Sequence, residues 1–261
     1  MAVKRIAMWS GPRNISTAMM RAFENRPDTV VVDEPLYGYY LRCSGLDHPG
    51  AREVMASQDG DWRVVARQLC EALPAGRDDD GGVAVFYQKH MTQHLLPEVE
   101  LDWTAALVNA FLIREPRRII ASYARVRPDF TLEEIGLPQQ WTLFQREAGR
   151  LGRAPPVIDS RATLHAPERS LQALCAAVDI PFSEAMLHWS AGPRDSDGVW
   201  APHWYAAVER STGFAAPDEE PLARVEIPGR YEAMCEEAER IYAALYQHAL
   251  VPAPQSVGGP D

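Results

Sequence analysis

Five short, mostly apolar runs, Arg5 to Ser10, Thr29 to Asp33, Val83 to Lys89, Ala106 to Arg114 and Pro156 to Asp159, alternate with longer stretches patterned for helix. Several runs are apolar throughout, as strands must be when both faces of a parallel sheet are covered. The stretches between them carry helix signals. Pro138 stands where a first helical turn would begin, and Trp141, Phe144, Ala148 and Leu151 follow at helical spacing. Pro167 opens another such stretch, with Leu171, Leu174, Cys175 and Val178 on one face; Met234, Ala238, Ile241 and Leu245 mark a last one. With no internal repeat and no inter-domain linker, this alternation predicts a single α/β domain over residues 1–250. Residues 251–261, "VPAPQSVGGPD", are expected to be a disordered tail. Ligands on such folds bind beyond the carboxyl ends of the strands.

Charge must be read by place. The net charge of −10 argues against non-specific binding to nucleic acid or to an anionic membrane, while leaving room for a local basic pocket. The 26 basic residues include only two lysines, Lys4 and Lys89, so a lysine inside a motif stands out. Cys43, Cys70, Cys175 and Cys235 have no CxxC or zinc-like spacing, which fits reduced thiols. No apolar run of ~18 residues and no leader-like N-terminus is present, so the expectation is a cytoplasmic protein without stable membrane association.

The first strand runs into "SGPRNISTAMM". Gly11 and Pro12 end the strand and Ser16-Thr17 begin a helix, whose unpaired N–H groups make an anion site. Arg13 adds positive charge, and Asn14, Ser16 and Thr17 add short hydrogen-bonding side chains, a set suited to phosphate or sulfate. A plain capped helix with a solvated arginine uses the same residues. The Walker A pattern G-x-x-x-x-G-K-[ST] aligned on Gly11 puts Ser16, Thr17 and Ala18 at its last three positions. The phosphate-reaching lysine and the Mg²⁺-holding hydroxyl are both missing, which disfavours a P-loop kinase.

This strand-loop-helix resembles the 5′-phosphosulfate loop of the bacterial branch of the sulfotransferases that use 3′-phosphoadenosine 5′-phosphosulfate (PAPS). Where many members read Lys-Ser-Gly-Thr-Thr, this chain has Arg13-Asn14-Ile15-Ser16-Thr17. A second element, "FLIREPRRIIASYARV", resembles the family's 3′-phosphate motif, in which a strand ends in arginine and the next helix presents a serine eight residues later; here these are Arg114 and Ser122. "RSLQALCAAVDIPFSEAMLHW" is similar to the family's late helix and turn. The late Arg-Lys-Gly segment has no clear counterpart; Arg224 and Arg230 are the available substitutes. The resemblance implies a three-layer P-loop-like α/β fold, a central mostly parallel sheet flanked by helices, and PAPS as sulfuryl donor with no metal required.

Sulfuryl transfer needs a base for the acceptor's proton, positive charge at the bridging oxygen and in-line positioning. In "VFYQKHMTQHLLP", Lys89-His90 resembles the family's Lys-Thr-His run without its threonine, which implies lysine on the transferring group and His90 as base. His90 and His94 at i and i+4 also allow a zinc reading, but the Glu of H-E-x-x-H is absent. Glu34, in "VVVDEPLYGYY", is the competing base by similarity to bacterial and carbohydrate sulfotransferases, and is slightly favoured. Tyr37 and Tyr40 are candidates for the acceptor pocket. Cys43 to Asp61 and Ala191 to Pro221 read as long loops; the second carries Trp200, His203, Trp204, Tyr205 and Phe214 and is expected to form a lid or substrate wall. Its aromatic content suggests an apolar or planar acceptor.

The expected function is sulfuryl transfer from PAPS to a hydroxyl or amine of a small molecule. The alternative is a protein of the same fold that binds the 3′,5′-bisphosphate without turnover. An aminotransferase would need a Schiff-base lysine, for which only Lys4 and Lys89 are available.

Overall fold

A computed structural model describes residues 3–74, 82–216 and 221–250. Five strands, β1 (Lys4–Ser10), β2 (Thr29–Asp33), β3 (Val85–Met91), β4 (Val108–Ile113) and β5 (Val157–Asp159), form one sheet in the order β2-β3-β1-β4-β5. All neighbours pair in parallel. Each expected strand is present. β2 has its expected bounds, β3 starts and ends two residues later than expected, and β4 ends one residue early and starts late because Asp102–Ala106 forms a 3₁₀ turn before it.

Side-chain alternation divides the core. Ile6 and Met8 of β1, Val85 and Tyr87 of β3, and Leu112 of β4 pack under helix α1 (Ser16–Glu24) and helix α8 (Pro167–Ala177), meeting Met19, Met20, Phe23, Leu171 and Leu174. Ala7, Trp9, Phe86 and Phe111 point to the other face, covered by α4 (Trp62–Glu71), α6 (Leu137–Leu151) and the end of α11 (Glu232–Tyr246). These are the three layers that apolar parallel strands require. Between β4 and α6, helix α5 (Pro116–Tyr123) packs on α11 through Ile119, Ile120, Cys235 and Ala238.

The stretch 43–61 is not a bare loop, since it holds the end of α2 (Tyr37–Ser44) and the short α3 (Ala51–Ser57), which buries only Val54. The late segment contains α9 (Ala201–Trp204) and α10 (Ala206–Glu209), and Trp200, Ala201 and Tyr205 pack onto Tyr37, Tyr40 and Val54. Helix α7 (Ser160–His165) follows β5 directly. The expected tail 251–261 lies outside the described residues.

Register places the functional edge. Asp33 pairs with Lys89, Ser10 with both Met91 and Leu112, and Ile113 with Asp159, so the carboxyl ends of five strands lie along one side. The chain leaves β1 toward β2 and leaves β4 toward β5, in opposite directions, which opens a crevice at the strand ends.

Candidate active site

At that edge lies a cavity of about 410 Å³. One wall is the turn from β1 into α1, from Pro12 to Ala18, with Arg114 beside it. Gly11 is required there, because a Cβ would lie 2.6 Å from the carbonyl oxygen of Ile135. Arg13 adopts a left-handed backbone (φ 56°), one of three non-glycine residues with positive φ among those described. Helix α1 starts without a side-chain cap: its N-cap is Ile15, which makes no capping hydrogen bond, and among the described α-helices only α4 and α7 carry such caps, from Asp61 and Asp159. The capped-helix reading therefore fails, and the N–H groups of Ser16, Thr17 and Ala18 have no intrahelical acceptors. An anion is their natural partner.

The second motif converges on the first. Arg13 Nε donates to Ser122 Oγ at 2.9 Å, and Arg114 Nη1 donates to the carbonyl of Arg13 at 2.5 Å. Asn14 Nδ2 donates to Leu112 O at 3.2 Å, tying the turn to the end of β4. Partial burial, and then the charge of Arg114, lower the pKa of Arg13. A bound polyanion beside Arg13 would offset that loss of charge.

Opposite this wall stand Glu34 and Lys89. Glu34 follows β2 with φ 39°; its N–H donates to Lys89 O at 2.9 Å, and its carbonyl accepts from Gln58 Nε2 at 3.0 Å. Lys89 Nζ donates to Asp33 Oδ1 (2.8 Å), Glu34 Oε1 (2.7 Å) and Tyr205 Oη (2.6 Å). Burial raises the Glu34 pKa, against the opposing pull of Lys89. Burial alone would lower the pKa of Lys89, but Asp33 and Glu34 outweigh it and hold the ammonium charged well above its usual range.

Beyond Glu34 the wall is neutral. His94 stacks on Tyr37 (ring centres 4.8 Å apart, planes 8° apart), and its Nε2 lies 4.0 Å from Glu34 Oε2. Tyr37 Oη is hydrogen-bonded to His48 Nδ1 at 2.7 Å. Burial pushes His48 down to about 4 and His94 well below the usual histidine range, so neither carries charge at neutral pH. Trp204, Tyr205, Val208 and Phe214 of the late segment close this side of the cavity.

Most of the residues singled out in the sequence meet here. Arg13, Asn14, Ile15, Ser16, Thr17, Glu34, Tyr37, Lys89, Arg114 and Trp204 line the cavity, and Ser122 reaches it through Arg13. Besides Ser122, four do not line it. His90 points to the opposite sheet face, stacked on Trp9 at 4.1 Å with Nε2 hydrogen-bonded to Gln88 Oε1 at 3.1 Å. The reason is strand geometry: β3 continues through Met91, so Lys89 and His90 take opposite faces. Tyr40 lies behind His94, Trp200 is buried behind Tyr37 and Tyr205, and His203 is exposed beside Gly50. Sequence reasoning passed over His48 and Gln93, assigned no role to Asp33, and gave His94 only a disfavoured zinc reading with His90. Asp33 had a signal, an acid at the last position of an otherwise apolar strand. His48 had none. Among the described residues no three or more His, Cys, Asp or Glu side chains cluster as metal ligands.

Residues 4–248 match the family model described as a sulfotransferase domain. The chain belongs to the sulfotransferase domain family. Its fold is similar to the sulfotransferase domain of the Synechococcus PCC 7002 olefin synthase (TM-score 0.57, 15% identity, covering 93% of this chain and 96% of that one). It is also similar to a sulfotransferase from Alicyclobacillus acidocaldarius (TM-score 0.53, 12% identity, covering 96% and 98%). The P-loop-like α/β fold of the sulfotransferases is thus present here. Two Arabidopsis thaliana proteins, branched-chain-amino-acid aminotransferase-like proteins 1 and 2, are 34% and 32% identical over 93% and 83% of this chain. The sulfotransferase chain spans only 42% and 37% of their lengths. No described helix is long and apolar enough to cross a membrane.

Proposed function

We propose that the protein transfers a sulfuryl group from PAPS to a hydroxyl or amine of a small-molecule acceptor. The observation that carries the reading is the convergence of the uncapped α1 N-terminus, Arg13, Arg114 and Ser122 on one cavity that also holds Lys89 and Glu34. The donor is a substrate with a 5′ phosphosulfate and a 3′ phosphate. The turn from Arg13 to Thr17 would hold the first, and Arg114 with Ser122 the second. In this reading Arg13 and Lys89 neutralise the oxygen left on the 5′ phosphate, a task for fixed cations that needs no metal.

Glu34 is the base. It borders the cavity, and its raised pKa moves it toward the working pH, where proton acceptance is most effective. His90 is removed from that role by its position behind the sheet. Tyr37, Trp204 and Phe214 offer aromatic contact to the acceptor, while Gln93, His48 and His94 add uncharged polar groups, so the acceptor pocket is more mixed than its aromatic content alone suggests. The names of the plant relatives suggest an aminotransferase, but Lys89 disfavours it: an ammonium held by two carboxylates is not the neutral amine that Schiff-base formation requires.

The test is Lys89→Ala. The variant is expected still to bind adenosine 3′,5′-bisphosphate in calorimetric titration, weakened by no more than the loss of one charge-assisted contact to its 5′ phosphate, and to transfer no sulfate from radiolabelled PAPS to any acceptor in a screen that the wild type passes. A wild type that binds the bisphosphate and is inert with every acceptor would favour a binding protein. A wild type that does not bind the bisphosphate would contradict both readings.

A further inference from the structure

The three hydrogens of the Lys89 ammonium are fully used within the protein, by Asp33 Oδ1, Glu34 Oε1 and Tyr205 Oη. Tyr205 is equally saturated: its hydroxyl donates to Asp33 Oδ2 at 2.7 Å and accepts from Lys89 Nζ and from Trp200 Nε1 at 3.1 Å. Asp33 Oδ2 also accepts from the Gly198 N–H at 3.1 Å. The segment that supplies Gly198, Trp200 and Tyr205 is anchored next door by a buried ion pair, Arg21 Nη2 to Asp197 Oδ2 at 2.6 Å. This is a closed polar network in which each hydrogen bond strengthens its neighbours. A saturated lysine cannot donate to a substrate unless one of its contacts is exchanged.

The three contacts are not equivalent. The Asp33 side chain is 1% exposed and holds two other donors, while that of Glu34 is 11% exposed and borders the cavity. We propose that Tyr205 and Asp33 are positioning residues that clamp Lys89 at the strand ends, leaving its bond to Glu34 as the contact exchanged during sulfuryl transfer. The inference rests on the sulfuryl-transfer reading above. In the step, the acceptor oxygen forms a bond to the sulfur of PAPS as the sulfur–oxygen bond to the 5′ phosphate breaks, its electron pair passing to that phosphate. The acceptor's proton moves to the Glu34 carboxylate. Neutralised, Glu34 loses its hold on the ammonium, and one Lys89 N–H turns to the new phosphate oxygen while the other two stay on Asp33 and Tyr205. Proton uptake by the base and charge stabilisation at the leaving group are thereby coupled.

The lysine-poor composition supplies the measurement. With only Lys4 and Lys89 in the chain, ¹⁵N–¹H correlation spectra tuned to lysine ammonium groups contain two side-chain signals, and Lys89→Arg assigns one of them. The account expects a slowly exchanging Lys89 ammonium in the wild type. In Tyr205→Phe its exchange should be at least about tenfold faster, as loss of one charge-assisted hydrogen bond implies. Glu34→Gln and Trp200→Phe should retain the protection. Tyr205→Phe should also lower kcat about tenfold while leaving bisphosphate affinity unchanged, a split that a merely structural role would not produce. Asp33→Asn with the same ammonium readout serves if Tyr205→Phe does not fold. A wild-type Lys89 signal that exchanges as fast as that of Lys4, an unchanged exchange rate in Tyr205→Phe, or equal loosening in Glu34→Gln would overturn the clamp. None of these ammonium readouts needs turnover, so an inert wild type with a protected Lys89 would count against sulfuryl transfer and not against the clamp.

Discussion

Glu34 has both a left-handed backbone (φ 39°) and a carboxylate shared between a charged lysine and a neutral histidine wall. Such a backbone costs on the order of 1 kcal/mol and is kept where the surroundings over-determine it. Here the Lys89 carbonyl and the Gln58 amide do so, aiming the side chain at the cavity. With Glu34 as the proposed base and burial raising its pKa, kcat/KM should fall on acidification through a value above the ordinary glutamate range of about 4.3. Glu34→Gln should lower kcat by about 10² to 10⁴ and abolish that limb. His90→Gln should leave the limb in place and instead lower the unfolding midpoint, because it removes a ring stacked on Trp9. Measuring both pH–rate profiles decides between them; loss of the acidic limb in His90→Gln with its retention in Glu34→Gln would exchange the two roles.

At the scale of elements, the strands were legible because doubly covered parallel strands have to be apolar, and β2 was read to the residue. The end of β3 was not: Lys89-His90-Met91 looks like a strand giving way to polar residues, when pairing of Met91 with Ser10 continues the ladder. His90 is named as a base by resemblance to the Lys-Thr-His run, and the continuation of β3 through Met91 is what turns its side chain to the other face. The late segment was read as a lid, and Trp204, Tyr205 and Phe214 do close the cavity. The bond between Tyr205 and Asp33 joins residues 172 positions apart, and no local pattern announces it. The turn before α1 is proposed as an anion site from its sequence, and its left-handed Arg13 and the approach of Gly11 to Ile135 are conformational features that the sequence does not announce. Gly11→Ala tests that turn: a Cβ 2.6 Å from the Ile135 carbonyl has to displace backbone, so bisphosphate affinity should fall at least about tenfold while the protein stays folded. Unchanged affinity would mean that the turn does not hold the ligand.

For the whole molecule, three buried histidines dominate the response to acid. Burial lowers His48 to about 4, His90 to about 3, and His94 well below the usual range, against about 6.5 in the unfolded chain. Between these limits the unfolded state binds more protons, so stability is fully present above pH ~6.5 and is lost as pH falls toward the native values. At full slope the three together remove about 4 kcal/mol per pH unit. The raised carboxyls of Glu34 and Asp159 act in the opposite sense and reduce that slope. Urea unfolding midpoints should decline steeply from pH 6.5 to pH 4.5, and less steeply in His90→Gln; a midpoint that is flat over this range would contradict the neutral, buried histidines.

The central claim is that the two strand–helix units built on the adjacent strands β1 and β4 grip opposite ends of one doubly phosphorylated nucleotide. Calorimetric titration of wild type and Arg114→Ala with adenosine 3′,5′-bisphosphate and with adenosine 5′-monophosphate tests it most directly. The account predicts that Arg114→Ala weakens the bisphosphate by about tenfold or more and leaves the monophosphate nearly unchanged. An equal loss for both ligands would contradict it.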